Sequence, residues 1–197
     1  MLMASIVEPG PMLTEPTARR TLWAVKPSIN PVQTEHLVLR PFSCADGHEV
    51  FAGITPTLTR FMAFDPPDSF AAFEKIGQEW LRLIEQGSEY TFVIRHLQDG
   101  RFVGIAAVHR ATEGEPELGI WISEREQGQG YGREAVRAVV HWCAERLAAV
   151  SYRYPVAVDN VASRRIAEAL GGQVVGTEQN AKFASVVYRI PVPGLPG

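Results

Sequence analysis

Apolar residues recur every three or four positions in two long stretches of the chain, which is the spacing of one face of an α-helix. The first stretch follows Asp68 or Ser69, either of which can cap a helix, and it stops at Gly87. Its apolar positions are Phe70, Phe73, Ile76 or Gly77, Trp80, Leu83 and Ile84. The second stretch runs from Gly132 to Arg146, with apolar positions at Ala135, Val136, Val139, Val140, Cys143 and Leu147. Both are predicted to be helices, and the second is predicted to pack one face on a sheet.

Short apolar runs bounded by turn residues predict the strands of that sheet. Leu118 to Ile122 is predicted to be a buried strand, which runs directly into a glycine-rich turn and the second helix. The other predicted strands are Leu37 to Leu39, Tyr90 to Arg95, Arg101 to His109, Tyr152 to Val158, Val174-Val175 and Phe183 to Ile190. Two shorter helices are expected, at Ala45 to Ile54 and Ala162 to Leu170, and Thr55 to Pro67 is predicted to be a loop or a broken helix. This order of elements predicts an α/β single domain with a mixed sheet.

The N-terminal region differs from the rest of the chain, because its first 31 residues contain five prolines and no hydrophobic period. We therefore predict a proline-rich extension at residues 1–31 and one domain at residues 32–197. Trp23 in the extension is expected to pack on its own domain or on a partner subunit, which makes a homodimer a possible assembly.

Composition excludes several classes of protein. With 46% hydrophobic and 21% charged residues, the 197-residue chain is typical of a globular domain. A net charge of -3 argues against a dedicated nucleic-acid-binding protein. No apolar run reaches the roughly 20 residues that span a bilayer, and the first residues lack the features of a signal peptide, so we expect a cytoplasmic protein without a membrane partner. The histidines show no ligand spacing, and no metal site is expected.

The turn after Leu118 to Ile122 contains three glycines, Gly128, Gly130 and Gly132, at the start of a predicted helix. Repeated glycine indicates positive φ angles or a ligand that lies against the backbone. Free N–H groups at a helix start favour an anion such as phosphate, whereas the alternative is a tight turn without a ligand. The residues exclude a G-x-G-x-x-G dinucleotide loop, because position 133 is arginine, and a P-loop, because Gly-Lys-Ser/Thr is absent.

The turn contains the motif Q-x-x-G-x-G at Gln127, Gly130 and Gly132. The sequence E-L-G-I-W-I precedes the motif, and Y-G-R-E-A begins at Tyr131 inside it. This segment resembles the acyl-CoA pyrophosphate loop of the GCN5-related N-acetyltransferase (GNAT) superfamily, and E-H-L-V-L-R-P-F near residue 36 is similar to the opening strand of its RimJ/RimL-like branch. The resemblance implies a mixed, mostly antiparallel sheet of about six to seven strands flanked by about four helices. It also implies that the two central strands splay apart.

Acetyl-CoA is the cosubstrate that the resemblance implies, with its pantetheine arm between the splayed strands. The backbone of Trp121 and Ile122 would bond that arm. Asn160, in a sequence similar to the family's N-x-x-S helix, would also bond it, although a helix N-cap is the alternative. The pyrophosphate would lie on the loop, at Gln127, Gly128, Gln129, Gly130, Tyr131, Gly132 and Arg133.

Transfer of an acetyl group to an amine requires a proton acceptor and a proton donor. Glu117 resembles the strand-borne glutamate that many family members use as base, and a carboxylate exposed to solvent is the alternative. The family's tyrosine acid is replaced by Ala167, so Ser163 is the candidate acid, with a capping serine as the alternative. His109 either faces the acceptor cavity or is a surface residue at the end of a strand.

The acceptor is expected on the opposite side of the sheet from the cofactor. Two segments can reach it, Thr55 to Pro67 and the turn Glu178 to Lys182, and Phe61 and Phe64 in the first are candidate substrate-binding residues. The alternative is that these aromatics are core residues. We predict an N-acetyltransferase that acts on a primary amine, either a protein N-terminus or a small molecule, and the alternative is a noncatalytic acyl-CoA-binding or regulatory module.

Overall fold

The structure is a computed structural model, and it describes residues 29–194. This range contains eight strands in one sheet, ordered β1-β2-β3-β4-β5-β6-β8-β7, and five α-helices. The strands are β1 Val32–Gln33, β2 Leu37–Pro41, β3 Tyr90–His96, β4 Phe102–His109, β5 Glu117–Ile122, β6 Ser151–Ala157, β7 Gln173–Gln179 and β8 Ala184–Pro191. The helices are α1 Gly47–Gly53, α2 Pro56–Thr59, α3 Phe70–Gln86, α4 Tyr131–Arg146 and α5 Val161–Ala169.

The predicted fold class is confirmed, and the element counts are slightly higher than expected. The additional strand is β1, a two-residue pairing with β2. The additional helix is α2, four residues long, in the segment predicted to be a loop or a broken helix. The proposed role of Trp23 and most of the proline-rich extension lie outside the described residues.

Helix α3 begins and ends where the sequence indicates. The Ser69 side chain accepts a hydrogen bond from the Ala72 N–H, and Gly87 ends the helix at a φ of 70°. Phe73 and Gly77 are its buried residues, and a Cβ at Gly77 would lie 3.2 Å from the Phe42 ring. The predicted apolar face therefore packs on the sheet.

The sheet separates two layers of helices. On one face, α4 and α5 cover a large core that includes Leu118, Tyr152 and Tyr154. On the other face, α1 and α3 cover a smaller cluster built on Val50, Phe73, Val93 and Ile105. Side chains alternate along a strand, so Leu118, Ile120 and Ile122 of β5 point to the α4 face, whereas Glu117, Gly119 and Trp121 point to the α1 face.

The two central strands are parallel and splay apart. Within residues 29–194 they pair at one position, Glu117 opposite Arg153, where the Arg153 N–H donates to the Pro116 carbonyl at 2.9 Å. Because backbone groups alternate in direction, the next β6 residue that faces β5 is Pro155. Proline has no N–H to donate, so the ladder cannot continue there. The gap that opens beyond this point confirms the predicted splay.

Asp46 is a buried carboxylate that fastens the start of α1 to the sheet. Its fully buried side chain accepts hydrogen bonds from Arg40 and Arg95, both at 3.0 Å, and from the Ser43 hydroxyl at 2.8 Å. Burial raises the pKa of this carboxyl, but the bonds from Arg95, Ser43 and Arg40 outweigh burial and hold the pKa below its ordinary value of 3.8. The charged form therefore stabilises the folded state.

Asp46→Asn is expected to lower the free energy of unfolding by about 3 kcal/mol at neutral pH, because it leaves two guanidinium groups without their buried partner. The folded-state pKa is depressed, so the stabilisation is complete above the unfolded pKa and is lost as pH falls through the folded pKa. Urea unfolding at neutral and acidic pH measures both effects. Glu79→Gln, which removes an exposed pair with Arg82 on α3, is the control and should change stability by less than about 1 kcal/mol. Equal losses in the two variants would contradict this assignment.

Candidate active site

The glycine-rich turn has the conformation that the sequence predicts at two of its three glycines. Gly128 and Gly130 have φ angles of 79° and 86°, and a Cβ on either would meet nothing within 4 Å. Gly132 serves packing instead, because a Cβ there would lie 3.0 Å from Ile166 of α5. The first two glycines therefore leave the backbone open to approach, and the third lets α5 pack against α4.

Backbone N–H groups point out of this turn at the start of α4. The first bond into the helix is donated by Glu134 to the Gly130 carbonyl at 3.2 Å, so the N–H groups of Tyr131, Gly132 and Arg133 have no partner inside the helix. The Gln127 side chain donates to the Ile122 carbonyl at 2.9 Å and fastens the turn to β5. Gln129 and the Arg133 side chain are exposed, while the Tyr131 ring is buried. The turn can receive an anion on its N–H groups and on the positive end of the helix dipole.

The gap between β5 and β6 is lined by backbone groups of alternate β5 residues. Trp121 lies opposite Ile105 of β4, and two residues further along β5 the Ser123 N–H donates to the Val103 carbonyl of β4. Because backbone groups alternate in direction along a strand, Trp121 faces the same neighbour as Ser123. Trp121 therefore directs its N–H and C=O at β4, and a Cβ at Gly104 would overlap the Trp121 carbonyl. The backbone groups that face the gap are those of Ile120 and Ile122. Of the two residues expected to bond a cofactor there, the register supports Ile122 and not Trp121.

The start of α5 brings two predicted residues together. The Asn160 side chain accepts from the Ser163 N–H at 3.2 Å, so its oxygen caps the helix. Within the described part of the chain, the Asn160 Nδ2 group forms no hydrogen bond and could still bind a ligand. Capping and ligand binding are thus compatible at Asn160.

Tyr154 lies beside Ser163, a contact that the sequence did not reveal. Its hydroxyl lies 2.9 Å from Ser163 Oγ, and its ring is 2% exposed. Burial raises the pKa of Tyr154 to about 12, although the bond to Ser163 lowers it. The phenol therefore stays protonated at neutral pH and can donate to Ser163 Oγ. The alternation of β6 indicates that Tyr154 points inward, but only the fold shows which helix it meets.

Glu117 lies where β5 and β6 meet, and it is not a solvent-exposed carboxylate at a strand edge. Its Oε2 atom accepts from Arg110 Nη2 at 2.7 Å and from Arg153 Nε at 2.9 Å, and the side chain is 27% exposed. Arg153 also pairs with Glu178 of β7. No described residue donates to Oε1, so that oxygen can accept from a ligand.

A cavity of about 580 Å³ surrounds Glu117 on the α1 face of the sheet. His109, at the end of β4, lines this cavity with a side chain that is 41% exposed, which is compatible with both interpretations of this histidine. The remaining lining residues are charged, namely Glu89, Arg110, Glu113, Glu115, Arg153 and Glu178.

The two segments expected near an acceptor are joined to each other. Lys182, between β7 and β8, donates to the Thr59 and Phe64 carbonyls at 3.0 Å and to Asp65 Oδ1 at 2.8 Å. At the other end of the first segment, the Thr55 hydroxyl bonds Glu124 just beyond β5. The segment therefore connects the end of β5 to the turn between β7 and β8.

Phe61 and Phe64 lie on this bridge and belong to neither core cluster. Phe64 is 47% exposed, so the interpretation of Phe64 as a core residue is wrong. The Phe61 ring is partly buried and lies 4.6 Å from the Arg60 guanidinium. Neither ring lines the cavity around Glu117.

Within residues 29–194, no three His, Cys, Asp or Glu side chains are grouped to hold a metal ion. None of the helices in the same range combines the length and apolar character needed to cross a bilayer.

Comparison with known proteins gave a family match and structural relatives. A family model described as an acetyltransferase (GNAT) domain matches residues 36–173. Comparison with curated proteins found no match.

Solved structures of other acetyltransferases share this fold, among them the following three. Spermidine N-acetyltransferase from Vibrio cholerae, in complex with CoA and spermine, has a TM-score of 0.70 at 18% identity, covering 81% of this chain and 97% of that chain. RimJ from Mycobacterium smegmatis, in complex with CoA-disulfide, has a TM-score of 0.73 at 18% identity, covering 85% and 88%. RimL, an alpha-N-protein acetyltransferase of a ribosomal protein, has a TM-score of 0.73 at 17% identity, covering 83% and 94%.

Proposed function

Because the chain belongs to the acetyltransferase (GNAT) family, we propose that it transfers the acetyl group of acetyl-CoA to a primary amine. The observation that carries this proposal is the gap between β5 and β6. The glycine-rich turn, which can receive an anion, lies at the open end of the gap. Ionisable side chains lie at its closed end on the α1 face of the sheet, which we call the acceptor face because the acceptor would approach from there. The fold shared with RimJ and RimL supports the RimJ/RimL-like branch.

The gap and the turn together suit the two parts of acetyl-CoA. The pantetheine arm would pair with the backbone of Ile120 and Ile122, and Asn160 Nδ2 would reach it from the start of α5. The pyrophosphate would lie on N–H groups from Gly128 to Arg133, with Gln127 holding the turn in place. Two relatives with this fold are complexes with CoA or its disulfide, which supports the same ligand here.

Proton transfers divide between the two faces of the sheet. Acetyl-CoA supplies an activated thioester, and an amine that arrives as an ammonium ion must lose two protons to become an amide, while the departing sulfur gains one. Glu117 lies on the acceptor face, and its Oε1 atom would accept one proton from nitrogen, directly or through water. Ser163 lies on the α4 face, where the cofactor would enter, and it would donate its proton to sulfur. Tyr154 would pass its own proton to Ser163 and regain one from water after CoA leaves.

Tyr154 also bears on the alternative of a noncatalytic acyl-CoA-binding module. Ala167 stands where many family members have a tyrosine acid, and that difference favours the noncatalytic alternative. The hydroxyl pair of Tyr154 and Ser163 supplies a proton donor from another strand, which favours the enzyme.

The acceptor is best sought among amines, with release of free CoA thiol as the signal. A panel should contain peptides with free N-termini, polyamines and amine antibiotics, each tested with acetyl-CoA. The proposal predicts thiol release that depends on both enzyme and amine. Tight binding of acetyl-CoA without turnover over the whole panel would favour the noncatalytic module.

Phe64→Ala is expected to raise the acceptor KM and leave stability unchanged. An exposed ring on the segment that connects the end of β5 to the β7–β8 turn can form part of a specificity wall, and its removal exposes no core. Acceptor kinetics and thermal melting measure the two effects, since truncating a core phenylalanine would cost about 3–5 kcal/mol.

The matched control is Ile76→Ala, which removes an exposed apolar side chain from α3. It should leave both stability and the acceptor KM unchanged. An unchanged acceptor KM in Phe64→Ala would remove Phe64 from the acceptor site.

A further inference from the structure

The proposed reaction removes two protons from the acceptor nitrogen, and Glu117 accounts for one. A second group on the same face of the sheet is placed to receive a proton. His109, the last residue of β4, lies directly opposite Glu117 in the β4–β5 register and lines the same cavity. Strand alternation points both side chains to the α1 face.

The imidazole of His109 is held in one tautomer. Its Nδ1 atom lies 2.7 Å from Glu89 Oε2. A carboxylate only accepts hydrogen bonds, so Nδ1 carries a proton, and in the neutral imidazole Nε2 then keeps its lone pair. Arg110 and Arg153 donate to Glu117, and no described residue donates to His109 Nε2.

The free nitrogen lies above the backbone of β5, beside the start of the gap. A Cβ at Gly119 would lie 3.6 Å from His109 Nε2 and 3.7 Å from the Ala107 Cβ. Gly119 and Ala107 thus form a floor of small residues next to this nitrogen. The His109 side chain is 41% exposed, so a ligand in the cavity can reach it.

We propose that His109 is a second catalytic base, positioned by Glu89, and this inference rests on the proposed acetyl transfer. An N–H bond of the acceptor breaks, a bond from that proton to Nε2 forms, and the electron pair stays on the acceptor nitrogen. The resulting imidazolium is stabilised by Glu89 and returns its proton to water after product release. Glu89 bonds this imidazole and Glu117 lies opposite it in the register, while Arg110 and Arg153 are paired with Glu117 and Glu178. Glu113, Glu115 and Glu178 are the other carboxylates of the cavity.

His109→Ala is expected to lower kcat/KM for the acceptor about 10²–10⁴-fold while the acetyl-CoA Kd is unchanged. Added imidazole should restore part of the activity, because the cavity then has room for it, and a purely structural role would not be rescued. His109→Gln keeps a polar side chain of similar size and should lose as much activity as His109→Ala. It replaces His109→Ala in this test if the alanine variant does not fold.

Glu89→Gln should give a smaller loss, and the double variant with His109→Ala should be no worse than His109→Ala alone, since Glu89 acts through the histidine. His141→Ala, at an exposed position on α4, is the control and should retain full activity. Full activity of His109→Ala and His109→Gln at every pH would overturn this inference and leave the proposed function intact. Absence of wild-type turnover with every amine would defeat both.

Discussion

Glu117→Gln is expected to lower kcat/KM for the acceptor about 10²–10⁴-fold at neutral pH, with the acetyl-CoA Kd little changed. The amide keeps the size of the side chain but cannot take a proton from the acceptor nitrogen. Arg153 retains Glu178 as a partner, so the fold should tolerate the change. Steady-state kinetics with a reactive amine and a separate acetyl-CoA titration measure the two quantities.

The matched control for Glu117 is Glu115→Gln in the same cavity. Glu115 bonds the Ser151 hydroxyl at 2.6 Å and Arg189 at 2.8 Å, so it should affect turnover far less. If Glu117→Gln turns over as fast as the wild type, Glu117 has no part in proton transfer. His109 and solvent would then be the remaining acceptors.

Gly130→Val is expected to abolish the stabilisation of the protein by acetyl-CoA. In the wild type, ligand at about a hundred times its Kd adds about 2.7 kcal/mol, or roughly 5–10 °C in melting temperature. Valine at a φ of 86° is strained, and its side chain would cover the N–H groups at the start of α4. Thermal melting with and without acetyl-CoA measures the shift.

Gly100→Val separates strain from ligand binding. Gly100 lies in the β3–β4 turn at a φ of 71°, also with open space around its Cβ position, so the substitution adds similar strain away from the gap. This variant should melt lower than the wild type but keep the full shift with acetyl-CoA. A full shift in Gly130→Val as well would show that the turn does not hold the pyrophosphate.

Much of the fold was predictable because each signal is local. Helices α3 and α4 follow from apolar spacing, and the ends of α3 follow from Ser69 and Gly87. The splay of the central strands was predicted from the family resemblance, and Pro155, in an interior strand, is a physical signal for the same feature.

The candidate site was predictable only in part, because its contacts join residues far apart in the chain. The sequence indicates Glu117, Ser163 and Asn160 individually. The bond from Tyr154 to Ser163 and the bond between His109 and Glu89 depend on how β6 meets α5 and how β3 and β4 pair.

Trp121 shows the same limit at the level of the backbone. Alternation along β5 gives the direction of its side chain, but the direction of its N–H depends on the hydrogen-bond phase with β4. Because the direction of the backbone groups alternates with each residue, the expected cofactor contacts are those of Ile120 and Ile122 and not that of Trp121.

A crystal structure of the protein with acetyl-CoA tests the account most directly. We expect the pantetheine arm between β5 and β6, bonded to the backbone of Ile120 or Ile122, and the pyrophosphate on the N–H groups at the start of α4. The thioester should lie between the Ser163 hydroxyl on one face of the sheet and the cavity with Glu117 and His109 on the other. Acetyl-CoA bound elsewhere, with the gap between β5 and β6 closed or filled by side chains, would contradict the account.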